Sequence, residues 1–215
     1  MNNFKYILFD LDGTLTDPAL GITNSVRYAL KKFGIEADRK ELYKFIGPPL
    51  IDSFMEFYGF DYEKAVKALE YYREYFSDKG IFENSIFAGV KEMLKSLKKS
   101  GKKIILATSK PEKYAVRILE HFNIKEYFDF VAGATMDEKR NQKDQVIEYA
   151  LKECGIKNTD EAVMVGDRKY DILGAHQFNI KAVGVLFGYG SKEELLNAKA
   201  DFLPEDIEEL SKILL

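Results

Sequence analysis

From residue 87 onward, short apolar runs alternate with stretches of helical periodicity. The runs fall at residues 102–107, 128–133, 162–167 and 182–185, with 200–203 as a short sixth strand once the chain's first run is counted. Between them, apolar residues recur at three- and four-residue spacing: Val90, Met93, Leu94 and Leu97, then Val116, Leu119 and Phe122, then Val146, Ile147, Ala150 and Leu151. Gly101 and Gly155 stop two of these stretches, and Pro204 opens a terminal helix through Ile207, Leu210 and Ile213. Strands separated by helices return in parallel, because a parallel pair requires a crossover. A parallel sheet is apolar on both faces, so helices must cover both. The alternation therefore restricts the chain to a three-layer, Rossmann-like α/β core.

One strand stands apart from the series. Tyr6-Ile7-Leu8-Phe9 leads into Asp10-Leu11-Asp12-Gly13, where Gly13 breaks the run as a turn residue. The pattern then stays helical as far as residue 85. Ile22, Val26, Ala29, Leu30 and Phe33 form one face before Gly34. Leu42, Phe45 and Ile46 precede Gly47-Pro48-Pro49. Ile51, Phe54, Met55 and Tyr58 precede Gly59, and Ala65, Val66, Leu69, Tyr72 and Phe76 end near Gly80. The expected organisation is an α/β core domain at 1–16 and 86–215 with an all-helical domain, 17–85, inserted after the first strand.

Composition removes several function classes. A net charge of −3 and a pI of about 5.6 give no reason to expect a nucleic acid polymer as partner. No apolar run approaches the ~20 residues that span a bilayer. Met1-Asn2-Asn3 runs straight into the first strand and leaves no room for a signal peptide, so a cytoplasmic protein is expected. Cys154 is the single cysteine, which excludes a disulfide and a cysteine metal site.

Open α/β sheets bind ligands at the carboxyl ends of their strands, and polar residues collect there. The first strand ends in Asp10 and Asp12, the second in Thr108 and Ser109, the fourth in Asp167 with Asp171 beyond it. Lys143 starts the helix after the third strand. Adjacent carboxylates repel unless a proton or a cation lies between them. Mg²⁺ suits a site built of oxygens. Carboxylates, hydroxyls and one cation make a set able to hold a metal and a phosphate. Lys110 and Arg140 stand near these positions and read equally as phosphate contacts or as solvated surface. His121 and His176 are isolated, and the aromatics of the insertion read as its core.

These strings resemble, in order, the four motifs of the haloacid dehalogenase superfamily. Phe-Asp-Leu-Asp-Gly-Thr-Leu-Thr-Asp at 9–17 is similar to the first, Ala-Thr-Ser at 107–109 to the second, and Lys143 to the third. Gly-Asp-Arg-Lys-Tyr-Asp at 166–171 is similar to the fourth. The insertion resembles the family's type-one helical cap. The resemblance implies Asp10 as a nucleophile that forms an aspartyl-phosphate, and Asp12 as the acid and base. It implies Thr108, Ser109 and Lys143 as substrate contacts. Mg²⁺ would be held by Asp10, the Asp12 carbonyl, Asp167 and Asp171. Asp12 speaks against dehalogenase chemistry. Ile-Gly-Pro-Pro-Leu at 46–50 resembles the phosphoglycolate phosphatase and 5′-nucleotidase branch. The expected activity is Mg²⁺-dependent hydrolysis of a small phosphate monoester. A β-phosphoglucomutase-like phosphomutase and a non-catalytic phosphate-ligand sensor are the alternatives. The cap would select the leaving group, with Pro48 and Leu50 as candidates.

Overall fold

A computed structural model describes residues 4–215, so the Met1-Asn2-Asn3 start lies outside the described residues. In chain order the strands are β1 (Tyr6–Phe9), β2 (Thr16–Asp17), β3 (Ser85–Ile86), β4 (Lys103–Pro111), β5 (Phe130–Ala134), β6 (Ala162–Gly166) and β7 (Lys181–Gly184). The helices are α1 (Ala19–Lys31), α2 (Leu50–Tyr58), α3 (Tyr62–Tyr75), α4 (Val90–Lys99), α5 (Glu112–His121), α6 (Lys143–Glu153), α7 (Lys169–His176), α8 (Lys192–Asn197) and α9 (Ile207–Leu214). The chain forms two compact units, Met1–Thr16 with Ile86–Leu215, and Asp17–Ser85.

In the first unit, a five-stranded parallel sheet runs in the order β5-β4-β1-β6-β7, with helices on both sides. The first strand in sequence lies at the centre. Phe9 pairs with Leu106 of β4 on one side and with Val165 of β6 on the other. The chain builds outward from β1 in both directions, so the sheet's switch point flanks β1, where such folds bind ligands. One apolar core joins Leu8, Ile105 and Met164 of the strands to Val146, Ile147 and Ile172 of α6 and α7. All of these are buried, as the near-continuous apolar strands require.

Two expectations are corrected. The segment 200–203 is not a strand: it makes a single bridge, Phe202 to Val183. Pro204 follows and has no N–H with which to extend a ladder. The second strand of the unit, β4, runs past residue 107 to Pro111, and its register with β5 shifts between Thr108 and Pro111.

The second unit is helical. A 3₁₀ turn at Lys40–Phe45 links α1 to α2, α3 follows, and a π turn at Phe76–Gly80 closes the series. Its core contains Val26, Leu30, Phe45, Phe54, Leu69 and Tyr72. Phe45 meets Phe54 edge to face at 5.1 Å, and Phe54 stacks on Phe60 at 6.0 Å. Most of the insertion's aromatics are packing residues, although Tyr62 is exposed. Gly59 ends α2 in the left-handed region, a conformation that costs glycine least. Among the described residues, no helix is long and apolar enough to cross a membrane.

Candidate active site

Three neighbouring strand ends and one helix start supply the site. Asp10 stays in the sheet for one residue beyond β1, its N–H donating to the Val165 carbonyl at 2.8 Å. The chain then folds back: the Leu15 and Thr16 N–H groups both donate to the Leu11 carbonyl, at 2.9 and 3.0 Å. Gly13 makes this turn possible with a φ of +81°, and any side chain there would run into the Asp167 carboxylate. The turn keeps Asp12 beside Asp10, both buried.

β4 contributes next. Thr108 is buried, and its Oγ1 accepts the Lys110 N–H at 3.2 Å. The register shift at this point re-aims the strand, as bulges near functional sites do. Lys110 is thereby directed inward, its Nζ 2.8 Å from Asp12 Oδ2. Ser109, between them, is half-buried, and among the described residues no hydrogen bond or ion pair links it to the buried charges.

β6 ends at Gly166, where a side chain would overlap Asp171. Asp167 follows, fully buried; its Oδ2 accepts the Tyr189 N–H at 2.7 Å, and Thr14 Oγ1 reaches its Oδ1 at 3.5 Å. Asp171 uses its two oxygens differently. Oδ2 accepts the Arg168 N–H at 3.0 Å and caps α7, whereas Oδ1 lies 2.8 Å from Lys143 Nζ. Lys143 opens α6. Its Nζ also stands 2.9 Å from Asp10 Oδ1 and donates to the Ala107 carbonyl at 3.1 Å. This lysine ties β1, β4 and α7 together.

Among the described residues, the buried charged side chains are Asp10, Asp12, Lys110, Lys143, Asp167 and Asp171, and all of them lie here. With every group ionised, four carboxylates face two ammonium groups, an excess of two negative charges. Burying charge is costly unless it is compensated, and the titration of the groups registers this. Burial pushes Asp167 well above the usual carboxylate range, and Asp171 and Asp10 add to the effect. Burial and the Asp10 charge raise Asp171 to about 6, against the pull of Lys143. Asp12 is also raised by burial, although Lys110 opposes it. Burial works against the charge of Lys143, but Asp10 and Asp171 outweigh it and hold the ammonium above its ordinary pKa.

The donor set fits a hard divalent cation. Asp10, Asp167 and Asp171 bring carboxylate oxygens within 4.8 Å of one another, with no sulfur or imidazole among them. The Asp12 carboxylate is outside that cluster and is held by Lys110 instead. Arg140 is engaged elsewhere: its Nε donates to the Gly133 carbonyl at 3.0 Å and its guanidinium lies 3.7 Å from the Tyr149 ring centre. The sequence leaves Lys110 evenly balanced between two roles and assigns none to the loop after β7. There, side chains at Gly188 and Gly190 would collide with Asp167, and Tyr189 supplies a backbone donor. A Gly-Tyr-Gly string between strand and helix was the available signal.

Comparison with known proteins places the chain in a family. Residues 7–185 match the family model described as haloacid dehalogenase-like hydrolase. A 5′-nucleotidase of Pseudomonas aeruginosa is 41% identical over 212 residues, covering 98% of this chain and 96% of the relative. The tyrosine-protein kinase PtkA of Mycobacterium tuberculosis is 39% identical over 200 residues; these cover 93% of this chain but only 65% of that protein. A crystal structure from Clostridium acetobutylicum, described as a predicted phosphatase, superposes with a TM-score of 0.96 at 49% identity and covers 98% of both chains. The chain therefore belongs to the haloacid dehalogenase-like hydrolases, and within them it is a phosphatase.

Proposed function

We propose that the protein hydrolyses a small phosphate monoester, of the phosphoglycolate or nucleoside 5′-monophosphate type, through an aspartyl-phosphate on Asp10. The observation that carries this reading is the confinement of every described buried charge to one strand-end site. A fold does not bury six charged groups for stability, since apolar residues of similar volume serve at least as well.

In this reading Asp10 attacks phosphorus, and the ester oxygen departs as the new bond forms. Asp12 gives the departing oxygen a proton. It then takes one from the water that cleaves the aspartyl-phosphate, so one proton cycles through a single carboxyl group. Lys143, fixed by three oxygens, neutralises the nucleophile and one phosphoryl oxygen. The Thr108 hydroxyl already accepts from Lys110 N–H, which leaves its own proton for a second phosphoryl oxygen. Such preorganised donors are each worth on the order of 10²–10³ in kcat. Asp10, Asp167 and Asp171 would hold Mg²⁺, which family phosphatases generally use. The ion would offset the excess negative charge and polarise the phosphoryl group.

The test is phosphate release from a panel of monoesters, with and without Mg²⁺. Phosphoglycolate, nucleoside 5′-monophosphates, sugar phosphates and an aryl phosphate make up the panel, and Asp10→Asn is the control. Mg²⁺-dependent release that disappears in the variant is expected. A folded, metal-loaded protein that releases nothing would transfer the reading to a phosphomutase or a sensor.

A further inference from the structure

We infer that Lys110 is a positioning residue that holds one oxygen of Asp12 and thereby fixes the other as the atom that carries the proton. The inference rests on the proposed role of Asp12. A carboxylate has two oxygens, and in this site they differ. Oδ2 lies 2.8 Å from Lys110 Nζ, with both side chains almost wholly buried. Oδ1 is buried as well and has no hydrogen-bond partner. An unpartnered buried oxygen is costly to keep, and rotation of the carboxylate would exchange the two oxygens were Oδ2 not anchored. The anchor is itself placed by structure: the register shift after Thr108 turns Lys110 inward, and its backbone N–H is fixed on Thr108 Oγ1. One bulge therefore sets a phosphoryl donor and the orientation of the acid together.

The proton balance follows. Oδ1–H protonates the departing alkoxide while the bond from phosphorus to that oxygen breaks and the bond to Asp10 forms. In the second half, water attacks phosphorus, its proton passes to Oδ1, and Asp10 is released. The effect of Lys110 should be greatest where the leaving group most needs protonation, in alkyl esters, and least for an aryl ester that leaves as a stable anion.

The experiment compares Lys110→Met and Lys110→Arg with wild type on a nucleoside 5′-monophosphate and on p-nitrophenyl phosphate. The ratio kcat/KM covers only the steps up to departure of the leaving group. For the alkyl ester it should fall on the order of 10²-fold in Lys110→Met, the usual worth of a positioned general acid. For the aryl ester the fall should be at least about tenfold smaller. Turnover of the aryl ester should then be limited by aspartyl-phosphate hydrolysis, visible as a burst of p-nitrophenolate of about one per site. Lys110→Arg keeps the charge. Its fork binds both carboxylate oxygens, so it should show the same selective loss on the alkyl ester, and it decides the matter if the methionine variant does not fold. Equal losses on both esters without a burst, or inhibition by inorganic phosphate weakened in step with activity, would overturn the inference in favour of a direct phosphate contact. Wild type inactive on both esters would instead defeat the phosphatase reading on which the inference stands.

Discussion

Asp171 shows how a single residue can be both structural and chemical. One oxygen caps α7 and the other faces Lys143, so the helix start and the charge network share one side chain. Its carboxyl group is raised from 3.8 to about 6 by burial and by the Asp10 charge. Between those values the folded chain holds a proton that the unfolded chain has lost, so stability falls as pH rises through that window. Asp167 shifts in the same direction and adds a loss of the same sign. A divalent cation bound at this cluster would offset the penalty, because it would replace the proton as the partner of these carboxylates. The metal-free protein should therefore lose melting temperature between pH 5 and pH 7.5, and Mg²⁺ should restore more of it at pH 7.5 than at pH 5. Thermal unfolding at the two pH values, with chelator and with Mg²⁺, checks this; an equal gain at both would contradict it. Asp10, Asp12, Asp167 and Asp171 were legible in the sequence because each sits in a short string that ends an apolar run. Lys110 was undecidable there, since nothing in a lysine's neighbours says that a bulge will turn it inward. Tyr189 was invisible because it acts through its backbone.

The elements that hold the second unit together depend on close backbone approach. Gly21 lies in the first turn of α1, and its N–H donates to the Glu83 carbonyl at 2.9 Å, past the π turn at Phe76–Gly80. A β-carbon on Gly21 would overlap the Gly80 carbonyl oxygen, and one on Gly80 would press on Ser25 Oγ. The obstacles to Gly21 substitution, the Gly80 and Glu83 carbonyls, are main chain, which cannot rotate away. Gly21→Ala should thus destabilise the protein by about 1–3 kcal/mol, the cost of overpacking, despite alanine's better helix propensity. Urea unfolding would read this as a lower midpoint at unchanged slope; a neutral or stabilised variant would show that α1 and the π turn separate freely. Helical periodicity announced α1, α2 and α3, and apolar runs announced β1, β4, β5, β6 and β7. The π turn gave no such signal, because one extra residue per turn is an outcome of packing rather than of pattern. The segment 200–203 read as a strand because a short apolar run looks alike whether or not its ladder continues.

At the scale of the whole molecule, the residues divide cleanly by task. Asp10, Asp12, Thr108, Lys110, Lys143, Asp167 and Asp171 all belong to the unit formed by Met1–Thr16 and Ile86–Leu215. In the proposed reaction that unit would supply the nucleophile, the acid, the phosphoryl donors and the cluster of metal-binding type, none of which recognises what lies beyond the phosphate. A phosphatase that discriminates among esters needs contacts to the leaving group, and we propose that residues of Asp17–Ser85 supply them. Within it the turn from Gly47 to Leu50 is only half-buried, so its side chains can change without emptying the unit's core. Leu50→Ala should accordingly alter the ratio of kcat/KM values between phosphoglycolate and a nucleoside 5′-monophosphate by about tenfold, the scale of a lost apolar contact in a binding pocket. Hydrolysis of an aryl phosphate should change by less than about threefold, because attack on phosphorus uses groups of the other unit. Steady-state kinetics on the three esters would decide the point. A uniform loss on all three would mean that Leu50 supports folding or the chemical step, and that ester preference is set by residues of the sheet unit itself.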